Sequence, residues 1–297
     1  MLKHLNTEER KPKRVVVLGH SGFIGEAIFK TLKLHNVPVK GISSKDLDMT
    51  SSDAGKRLTE KLEVDDVLVF ISAQAPCKNS EMLINNIQIA NNVCDALKKK
   101  PVSQVVYMSS DAVYRDSKVP ISEASCAEPN SIHGVMHLAR EVMIKQAYFG
   151  PLAIVRSTLV YGLNDPHNGY GPNRFRRMAK NGEDIILFGE GEECRDHIHV
   201  EDIANLVEKI IFFKSIGIIN AVSGETVSFR ELANFLALSF DRLVTVKSSP
   251  RSGPMPHNGY RAFDNSAIYK SFPGFVIKSW KEGLALVNDQ FMAMDHK

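Results

Sequence analysis

The sequence lacks any uninterrupted apolar run near the roughly 18 residues that a membrane-spanning helix needs. Its start, residues 1–14, mixes lysine, glutamate and arginine without an apolar stretch, which predicts no secretory signal. The formal net charge is only +3 over 297 residues, too little to indicate binding to nucleic acid. These absences predict a globular cytoplasmic protein that has neither a membrane nor a nucleic acid as its partner.

Cysteine is scarce as well, and the cysteines stand far apart. No Cys-x-x-Cys pair occurs, so neither a zinc knuckle nor a disulfide framework is indicated; the cysteines are Cys77, Cys94, Cys126 and Cys194. We therefore expect reduced thiols in ordinary packing, and no metal centre is predicted. Residues 1–13 carry clustered charges of both signs and are interpreted as a flexible tail ahead of the first strand.

The first half of the chain alternates between strand-like and helix-like stretches, which is the pattern of a parallel sheet with helices on both faces. The strand-like runs are apolar nearly throughout, as expected of strands buried on both faces; they are residues 14–18, 37–42, 67–71, 104–108 and 152–155. Apolar residues recur at helical spacing in residues 26–34, 85–97 and 229–240. The predicted fold class is α/β, with a doubly wound parallel sheet.

A glycine-rich turn with the spacing Gly-x-x-Gly-x-x-Gly connects the first strand directly to the first helix. Glycines allow a tight turn and let the backbone approach a pyrophosphate, which the amide groups and positive dipole of the helix N-terminus then hold. The position between a strand and a helix predicts a dinucleotide site. The residues predicted to contact the cofactor there are Gly19, Ser21, Gly22, Phe23, Ile24 and Gly25.

The end of the second strand bears on the choice between NAD and NADP. An acidic residue there would bind the ribose hydroxyls and select NAD, but the strand ends instead at Ser43, Ser44 and Lys45. Two hydroxyls and a cation could hold a 2′-phosphate through charge-assisted hydrogen bonds. The cofactor is therefore expected to be NAD or NADP, with a slight preference for NADP.

Several further segments, taken in order, resemble the extended short-chain dehydrogenase/reductase superfamily, specifically its NAD-dependent epimerase/dehydratase family. The resemblance covers about residues 14–287, and its segments are 19–25, 48–49, 72–73, 86–87, 108–114, 156–162, 189–191 and 195–202. It implies a Rossmann-type domain that holds NAD or NADP and a smaller domain that covers an activated sugar, usually a nucleoside diphosphate sugar. It also implies that Asp48 reaches the adenine with Met49 beside it, and that Ser72 and Ala73 line the path of the pyrophosphate and ribose.

In this family a Tyr phenolate takes the proton of a sugar hydroxyl while hydride passes from that carbon to the nicotinamide, or the reverse, and a Lys four residues later keeps the Tyr ionised. The resemblance places this Tyr at His133 and this Lys at His137, and gives Ser110 the place of the residue that orients the substrate oxygen. Neutral imidazole accepts a proton near pH 7, where a phenol with a pKa of about 10 does not. His133 is therefore predicted to exchange the proton. His137 is predicted to hold the nicotinamide ribose and, when protonated, to keep His133 neutral.

Three alternatives stay open for the histidine pair. The site could have lost its proton chemistry, which would leave a protein that binds NAD(P) and a sugar nucleotide without turnover. Two histidines four residues apart on one helix face could instead ligate zinc, although no third ligand is evident. Within the enzyme class, the protein could be a 4-ketosugar reductase that consumes NADPH, where an epimerase would recycle its cofactor.

The domain organisation follows from the same resemblance. The Rossmann-type domain is expected at residues 14–162, with residues 196–222 returning to it, and the discontinuous substrate-binding domain at residues 163–195 and 223–297. A homodimer is implied too, because the helix at residues 85–97 and the histidine helix build the subunit interface in relatives. The expected function is a sugar-nucleotide epimerase or oxidoreductase of carbohydrate biosynthesis.

The substrate side is predicted from single residues. Asp111 could bind a sugar hydroxyl or cap the following turn, while the second acid found in the family's dehydratases is replaced by Ala112. Arg195 falls where the family's arginine contacts the substrate diphosphate, and Arg251 resembles a second arginine near the nucleotide. Arg261 is a further candidate for such a contact. Each of these arginines could equally form a surface ion pair.

Overall fold

The computed structural model describes residues 2–240 and 242–295. Its strands, in chain order, are β1 (Lys3–His4), β2 (Arg14–Leu18), β3 (Val39–Ile42), β4 (Asp66–Phe70), β5 (Gln104–Ser110), β6 (Leu152–Ser157), β7 (Leu159–Tyr161), β8 (Ile185–Phe188), β9 (Cys194–His199), β10 (Ser215–Ala221), β11 (Thr226–Ser228), β12 (Val246–Ser249) and β13 (Tyr260–Arg261). Its α-helices are α1 (Phe23–Leu34), α2 (Ala54–Lys61), α3 (Ser80–Lys99), α4 (Ile132–Ala147), α5 (Pro172–Asn181), α6 (Val200–Phe212), α7 (Phe229–Ala237), α8 (Ser266–Ser271) and α9 (Trp280–Asp295). Short 3-10 helices lie at Asp111–Val113 and Pro256–Gly259. Among the described helices, none has the length and apolar character that crossing a membrane requires.

The large sheet has the strand order β1-β10-β6-β5-β4-β2-β3. All its strands run parallel except β1, which joins β10 antiparallel at one edge. The chain leaves β2 for β3 on one side and then returns to β4 on the other side. The connections that follow the adjacent strands β2 and β4 therefore run in opposite directions from the carboxyl ends of these strands. Open α/β sheets bind ligands at such a switch point. The predicted doubly wound α/β fold is confirmed.

Strand β2 shows why the sheet is covered on both faces. Val15 and Val17 belong to the core that α1 and α6 form on one face, whereas Val16 and Leu18 belong to the core of α2, α3 and α4 on the other. Successive side chains of a strand point to opposite faces. All four are at most 1% exposed, so an apolar run without alternation forms a central strand.

A smaller unit has a core of its own. Helices α5, α7 and α9 surround it together with the parallel pair β8 and β12, and its most buried side chains include Phe175, Leu187, Leu232 and Val287. Strand β9 pairs with β7, β11 and β13 in a separate small sheet and leads directly into α6. The smaller unit therefore continues from the large one without a long linker.

The N-terminal segment differs from the predicted flexible tail. Strand β1 pairs with residues 215–216 of β10, and the ring of His4 is bonded to the Ser215 hydroxyl at 2.8 Å and to the Ser271 carbonyl at 2.7 Å. Leu2 packs against the core of the large sheet. The apolar contact of Leu2 and the two hydrogen bonds of His4 therefore order the start of the chain. The charged residues of this segment instead predict a solvated tail.

The C-terminal boundary also differs from the expected one. Helix α8 lies inside residues 223–297, which the sequence assigns to the substrate-binding domain. Its Ala267 and Ile268, followed by Phe272, pack in the same core as Ile219 of β10. This segment therefore belongs to the large unit, because its apolar side chains cover the last parallel strand.

Candidate active site

A cleft of about 1070 Å³ opens at the carboxyl ends of β2 and β4. The glycine turn, the loops after β4 and β5, the first turns of α4 and the segment that leads into α5 form its walls. Fifteen predicted site residues line this cleft: Gly19, Ser21, Gly22, Phe23, Ile24, Ser44, Asp48, Met49, Ser72, Ala73, Ser110, Asp111, His133, His137 and Arg195. Five others do not line it: Gly25, Ser43, Lys45, Arg251 and Arg261.

The geometry of the turn requires two of its glycines. Gly19 has φ +99°, and a Cβ there would lie 2.8 Å from the Ser72 amide nitrogen. A Cβ at Gly25 would lie 2.1 Å from the Gly19 carbonyl oxygen, so Gly25 permits the contact between α1 and the turn without lining the cleft. Gly22 faces the cleft, and a Cβ there would meet only one atom, at 3.4 Å. The turn thus leaves room for a phosphate at the N-terminus of α1, as a bound dinucleotide needs.

The loop after β3 holds the residues predicted to choose between NAD and NADP. The amide and hydroxyl of Ser43 both donate to the Asp46 carboxylate, at 2.8 and 2.6 Å. Ser43 is therefore occupied within the loop. Ser44 and Lys45 are exposed beside it, and Ser44 lies on the cleft wall. Asp48 follows on the same wall.

Ser110 and Asp111 lie where β5 ends and the first 3-10 helix begins. The Ser110 hydroxyl oxygen accepts from the Ala112 amide at 3.2 Å, which caps that short helix and orients the hydroxyl in the cleft wall. The Asp111 carboxylate pairs with Arg261 at 2.8 Å. Arg261 also pairs with Asp116 at 2.7 Å and is 1% exposed, so this guanidinium bonds protein carboxylates and is not available to phosphate.

The two histidines lie one turn apart on α4, and both rings line the cleft. Their centroids are 4.8 Å apart and their planes are nearly perpendicular. Burial lowers the pKa of His133 below its usual value; the charge of Asp111 opposes this effect and the charge of Arg140 adds to it. The Cys77 amide donates to Nδ1 of His133 at 3.3 Å. His133 is therefore a neutral ring with one nitrogen already engaged.

His137 lies deeper than His133. It is 7% exposed, and its Nδ1 lies 2.9 Å from the Tyr107 hydroxyl. Burial, followed by His133 and Arg140, lowers the pKa of His137 well below its usual value. A protonated His137 was expected to keep His133 neutral, and the structure corrects this: His137 is itself neutral near pH 7, and burial is the main cause of the neutrality of His133.

The two predicted substrate arginines differ in position. Arg195, on β9, reaches the cleft and pairs with Glu193 at 3.0 Å. Arg251 donates to the Phe188 carbonyl at 3.1 Å and lies 3.6 Å from Glu192, outside the cleft walls. Of the two, Arg195 alone is placed to meet a ligand in this cavity.

Three residues of the site were missed by the sequence reasoning: Cys77, Tyr107 and Arg140. Arg140 is fully buried and donates to the Ser72 carbonyl at 2.6 Å, while its guanidinium stacks on Phe70 at 4.5 Å. Helical spacing could have placed Arg140 near the histidines, because it follows His137 by three residues on α4. No sequence signal marks the contacts of Cys77 and Tyr107. Within residues 2–240 and 242–295 no group of three His, Cys, Asp or Glu side chains could hold a metal ion, so a third zinc ligand is missing there.

The fold and the cleft together are those of a Rossmann-type α/β protein whose switch-point crevice suits a dinucleotide. Within that class the family is also clear, because the model of the "NAD dependent epimerase/dehydratase family" matches residues 15–218. The chain belongs to this family. It is therefore an NAD(P)-dependent enzyme of the oxidoreductase type, as the sequence motifs predict.

Curated relatives cover most of the chain at low identity. An uncharacterised UDP-glucose epimerase of Bacillus subtilis (strain 168) is 26% identical over 222 residues, which is 70% of this chain and 68% of that protein. GDP-L-fucose synthase 1 of Arabidopsis thaliana is 26% identical over 253 residues, which is 76% of this chain and 77% of that protein. Similarity therefore extends to proteins named for two different sugar nucleotides.

Solved structures confirm the fold over nearly the whole chain. UDP-glucose 4-epimerase of Thermus thermophilus in complex with NAD has a TM-score of 0.82 at 22% identity, covering 94% of this chain and 99% of that one. A GDP-L-fucose synthetase of Naegleria fowleri bound to NADP has a TM-score of 0.81 at 18% identity, covering 99% and 98%. At such identities the likeness is one of fold.

Proposed function

We propose that this protein is a sugar-nucleotide epimerase or oxidoreductase that transfers hydride between a sugar carbon and NAD or NADP. The observation that carries this proposal is that Ser110, His133 and His137 share one cleft with the glycine turn. The nicotinamide, when bound, supplies or accepts the hydride. The residues of the chain bind and orient the sugar and exchange the proton of its reacting oxygen.

His133 is the proposed group that exchanges this proton. Its ring is neutral on the cleft wall, and an acid–base group in hydrogen-bond reach of the reacting oxygen contributes about 10²–10⁴-fold to a rate. Ser110 would orient the sugar oxygen, since its own hydroxyl is fixed by the Ala112 amide. His137 would bond the hydroxyls of the nicotinamide ribose, the place that the family's lysine takes.

The proposed substrate is a nucleoside diphosphate sugar. The names of the relatives, which specify UDP-glucose and GDP-L-fucose, support this class without choosing the base. Arg195 fits the diphosphate because a planar guanidinium can pair with two phosphate oxygens. Asp111 would face the sugar. Arg251 is left out of this site because its guanidinium bonds the Phe188 carbonyl away from the cleft.

NADP is the proposed preference among the two cofactors. Exposed Ser44 and Lys45 support it, while the carboxylate of Asp46 at Ser43 would oppose a 2′-phosphate. Calorimetry should give a lower Kd for NADP⁺ than for NAD⁺. Lys45→Ala should weaken NADP⁺ binding and leave NAD⁺ binding, the matched control, unchanged. A lower Kd for NAD⁺ in the unaltered protein would refute the preference.

We further propose a homodimer in the cytoplasm. Exposed apolar side chains on α3 and α4 support the dimer: Ile84 is 68%, Val135 43% and Val142 51% exposed. Four free cysteines suit a reducing compartment. Light scattering of the purified protein should give twice the chain mass, and a monomer at micromolar concentration would refute the dimer.

Turnover tests the main proposal. Purified protein is incubated with NAD(P)⁺ or NAD(P)H and a panel of UDP, GDP, CDP and dTDP sugars and ketosugars, and both absorbance at 340 nm and product identity are followed. We expect one sugar nucleotide to be reduced, oxidised or isomerised, and His133→Phe to lose that turnover while binding the cofactor. Binding without conversion across the panel would instead support a non-catalytic binding protein.

A 4-ketosugar reductase that consumes NADPH is the second candidate. It is favoured by the hydrogen bond from the Cys77 amide to Nδ1 of His133, which leaves the ring proton on the other nitrogen. Stoichiometric consumption of NADPH would identify it, whereas an epimerase restores its cofactor in each cycle.

A further inference from the structure

The tautomer of His133 is fixed by its partner. The donor to Nδ1 is the backbone amide of Cys77, at 3.3 Å, and an amide N–H can donate but not accept. Nδ1 must therefore carry a lone pair. The single proton of the neutral ring then lies on Nε2, because the bond made by one ring nitrogen decides the state of the other.

The tautomer of His137 is fixed in the same sense by Tyr107. Tyr107 is fully buried, and burial raises the pKa of its phenol far above the usual range, so the hydroxyl keeps its proton. A buried hydroxyl proton needs an acceptor, and Nδ1 of His137, at 2.9 Å, is the partner that this hydroxyl has. Tyr107 donates, Nδ1 accepts, and the ring proton of His137 also lies on Nε2.

Arg140 adds a fixed positive charge that acts on both rings. It is fully buried over the adjacent rings of Phe70 and Tyr107, whose centroids lie 4.5 and 5.4 Å from it. It has no carboxylate within 4 Å among residues 2–240 and 242–295. Buried guanidinium groups usually have such a partner, because an uncompensated charge in the interior costs free energy. This charge acts against a second proton on His133 or His137.

The remaining ring nitrogens face the ligand site. Both rings line the cleft. The described structure has several polar atoms that are buried without a hydrogen-bond partner, and the Nε2 atoms of His133 and His137 are not among them. Each Nε2–H is therefore open to the cavity. The site offers two N–H donors side by side, and in this state it offers no free imidazole lone pair.

We propose that the Cys77 main chain, Tyr107 and Arg140 are positioning groups that hold His133 and His137 as neutral Nε2–H donors, so that the resting site suits the carbonyl of a ketosugar nucleotide. This inference rests on the proposed function for its substrate class, but not for the state of the rings. In the reductive direction the carbonyl carbon receives the hydride of the reduced nicotinamide, and the C=O electron pair moves to the oxygen. That oxygen takes the proton of His133 Nε2, which leaves the ring as an imidazolate stabilised by the charge of Arg140. The imidazolate then regains a proton from water, and hydroxide is released. Oxidation of a hydroxyl would need a lone pair on Nε2, and therefore a proton on Nδ1 facing the Cys77 N–H.

Nitrogen NMR of the ¹⁵N-labelled protein tests the state of the rings directly. Two-bond correlations between the ring nitrogens and the carbon-bound ring protons distinguish the two neutral tautomers, and His133→Phe and His137→Phe assign the signals. Near pH 7 we expect the Nε2–H pattern for both rings. An Nδ1–H pattern at either ring would overturn the proposal, whether or not the protein turns over a sugar.

Substitutions of Tyr107 and Arg140 test whether each side chain controls the protonation of the rings or only supports the fold. Tyr107→Phe should abolish the pure Nε2–H pattern at His137 and leave His133, the internal control, unchanged. An unaltered pattern at His137 would contradict the role of Tyr107.

Arg140→Met should shift the NMR titration of both rings to higher pH, and Arg140→Lys, which keeps the charge, should return the titration to the pH range of the unaltered protein. The charged or titratable groups acting on these rings are Asp111, Arg140, the neighbouring imidazole and, in contact with His137, the Tyr107 phenol. Unshifted titrations in a folded Arg140→Met protein would refute the role of Arg140.

Failure of this inference is distinguishable from failure of the proposed function. Nε2–H tautomers with no turnover across the sugar panel would leave the inference about the rings intact and refute the enzyme. Turnover with Nδ1–H tautomers would keep the enzyme and refute the inference. If both the Nε2–H tautomers and the turnover are found, the ketosugar should be reduced at least about tenfold faster than the corresponding hydroxyl sugar is oxidised at pH 7. This corresponds to a difference of about 1.4 kcal/mol between the two barriers.

Discussion

Replacing Arg261 with methionine should lower the free energy of unfolding by about 3–5 kcal/mol at pH 7, the usual effect of removing one partner of a buried ion pair. Arg261 is 1% exposed and donates to Asp111 at 2.8 Å and to Asp116 at 2.7 Å. Methionine fills the space of the alkyl stem without the charge. The Asp111 carboxylate, whose side chain is only 10% exposed, would then lie in the interior without this cation.

The deficit of this variant should depend on pH. Burial raises the pKa of Asp116, but the hydrogen bond and charge of His257 and the charge of Arg261 outweigh burial and hold that pKa below its usual value. A carboxyl of this kind stabilises the fold above its unfolded pKa of about 3.9, and the stabilisation is lost as the pH falls through the lower folded value. The difference in free energy of unfolding between Arg261→Met and the unaltered protein should therefore be largest above about pH 5 and become smaller below about pH 4.

Urea unfolding at several pH values measures both effects. The fluorescence of Trp280, the single tryptophan, reports on the smaller core, and circular dichroism reports on the helices. Arg115→Met is the matched control, because the pair of Arg115 with Glu128 is exposed, with side chains 63% and 56% accessible, and its loss should change little. Equal unfolding midpoints for the two variants at pH 7, or a deficit of Arg261→Met that grows in acid, would refute the reasoning.

Three further predictions concern activity and binding. His133→Phe should lower kcat by about 10²–10⁴-fold with the cofactor Kd unchanged, and full turnover would exclude this residue from the chemistry. Gly25→Ala should abolish NAD(P) binding because the new Cβ would lie 2.1 Å from the Gly19 carbonyl oxygen. Gly274→Ala, a change at φ +83° outside the cleft walls with nothing within 4 Å of the new Cβ, should bind the cofactor normally, and equal affinities would contradict this account. Arg195→Gln should raise KM for the sugar nucleotide by about 10–100-fold, as loss of a charge-assisted hydrogen bond predicts; an unchanged KM would remove Arg195 from the diphosphate site.

The central strands and the glycine turn could be predicted because their signals are local. An apolar run buried on two faces and a turn that forbids Cβ atoms need no knowledge of the rest of the chain. Helix α2 was missed because its buried side chains are few, with Leu58 the only large apolar one, so the periodic signal is weak. Helix α3 begins at Ser80, five residues before the predicted start, because Asn79 caps it by accepting from the Met82 amide at 2.9 Å.

The contacts that define the state of the site were less accessible to sequence reasoning. The register of His133 and His137 follows from neighbouring residues, and both rings do line the cleft. Their partners come from separations of 56 residues, for the Cys77 amide, and 30 residues, for Tyr107. One of these contacts is made by a main-chain N–H, which every residue except proline has, so no residue pattern could reveal it. The protonation of the rings is consequently a property of tertiary packing.

The buried cation explains how both members of a Tyr–Lys pair can be exchanged for histidine. A tyrosine must lose its proton near pH 7, so a nearby positive charge assists it by stabilising the phenolate. An imidazole must avoid a second proton, and a nearby positive charge assists it by opposing the imidazolium. The same sign of charge therefore serves either chemistry. Here Arg140, three residues after His137 on α4, supplies that charge. Position 137 therefore does not need a cation and can be a neutral donor, which makes the double replacement electrostatically consistent.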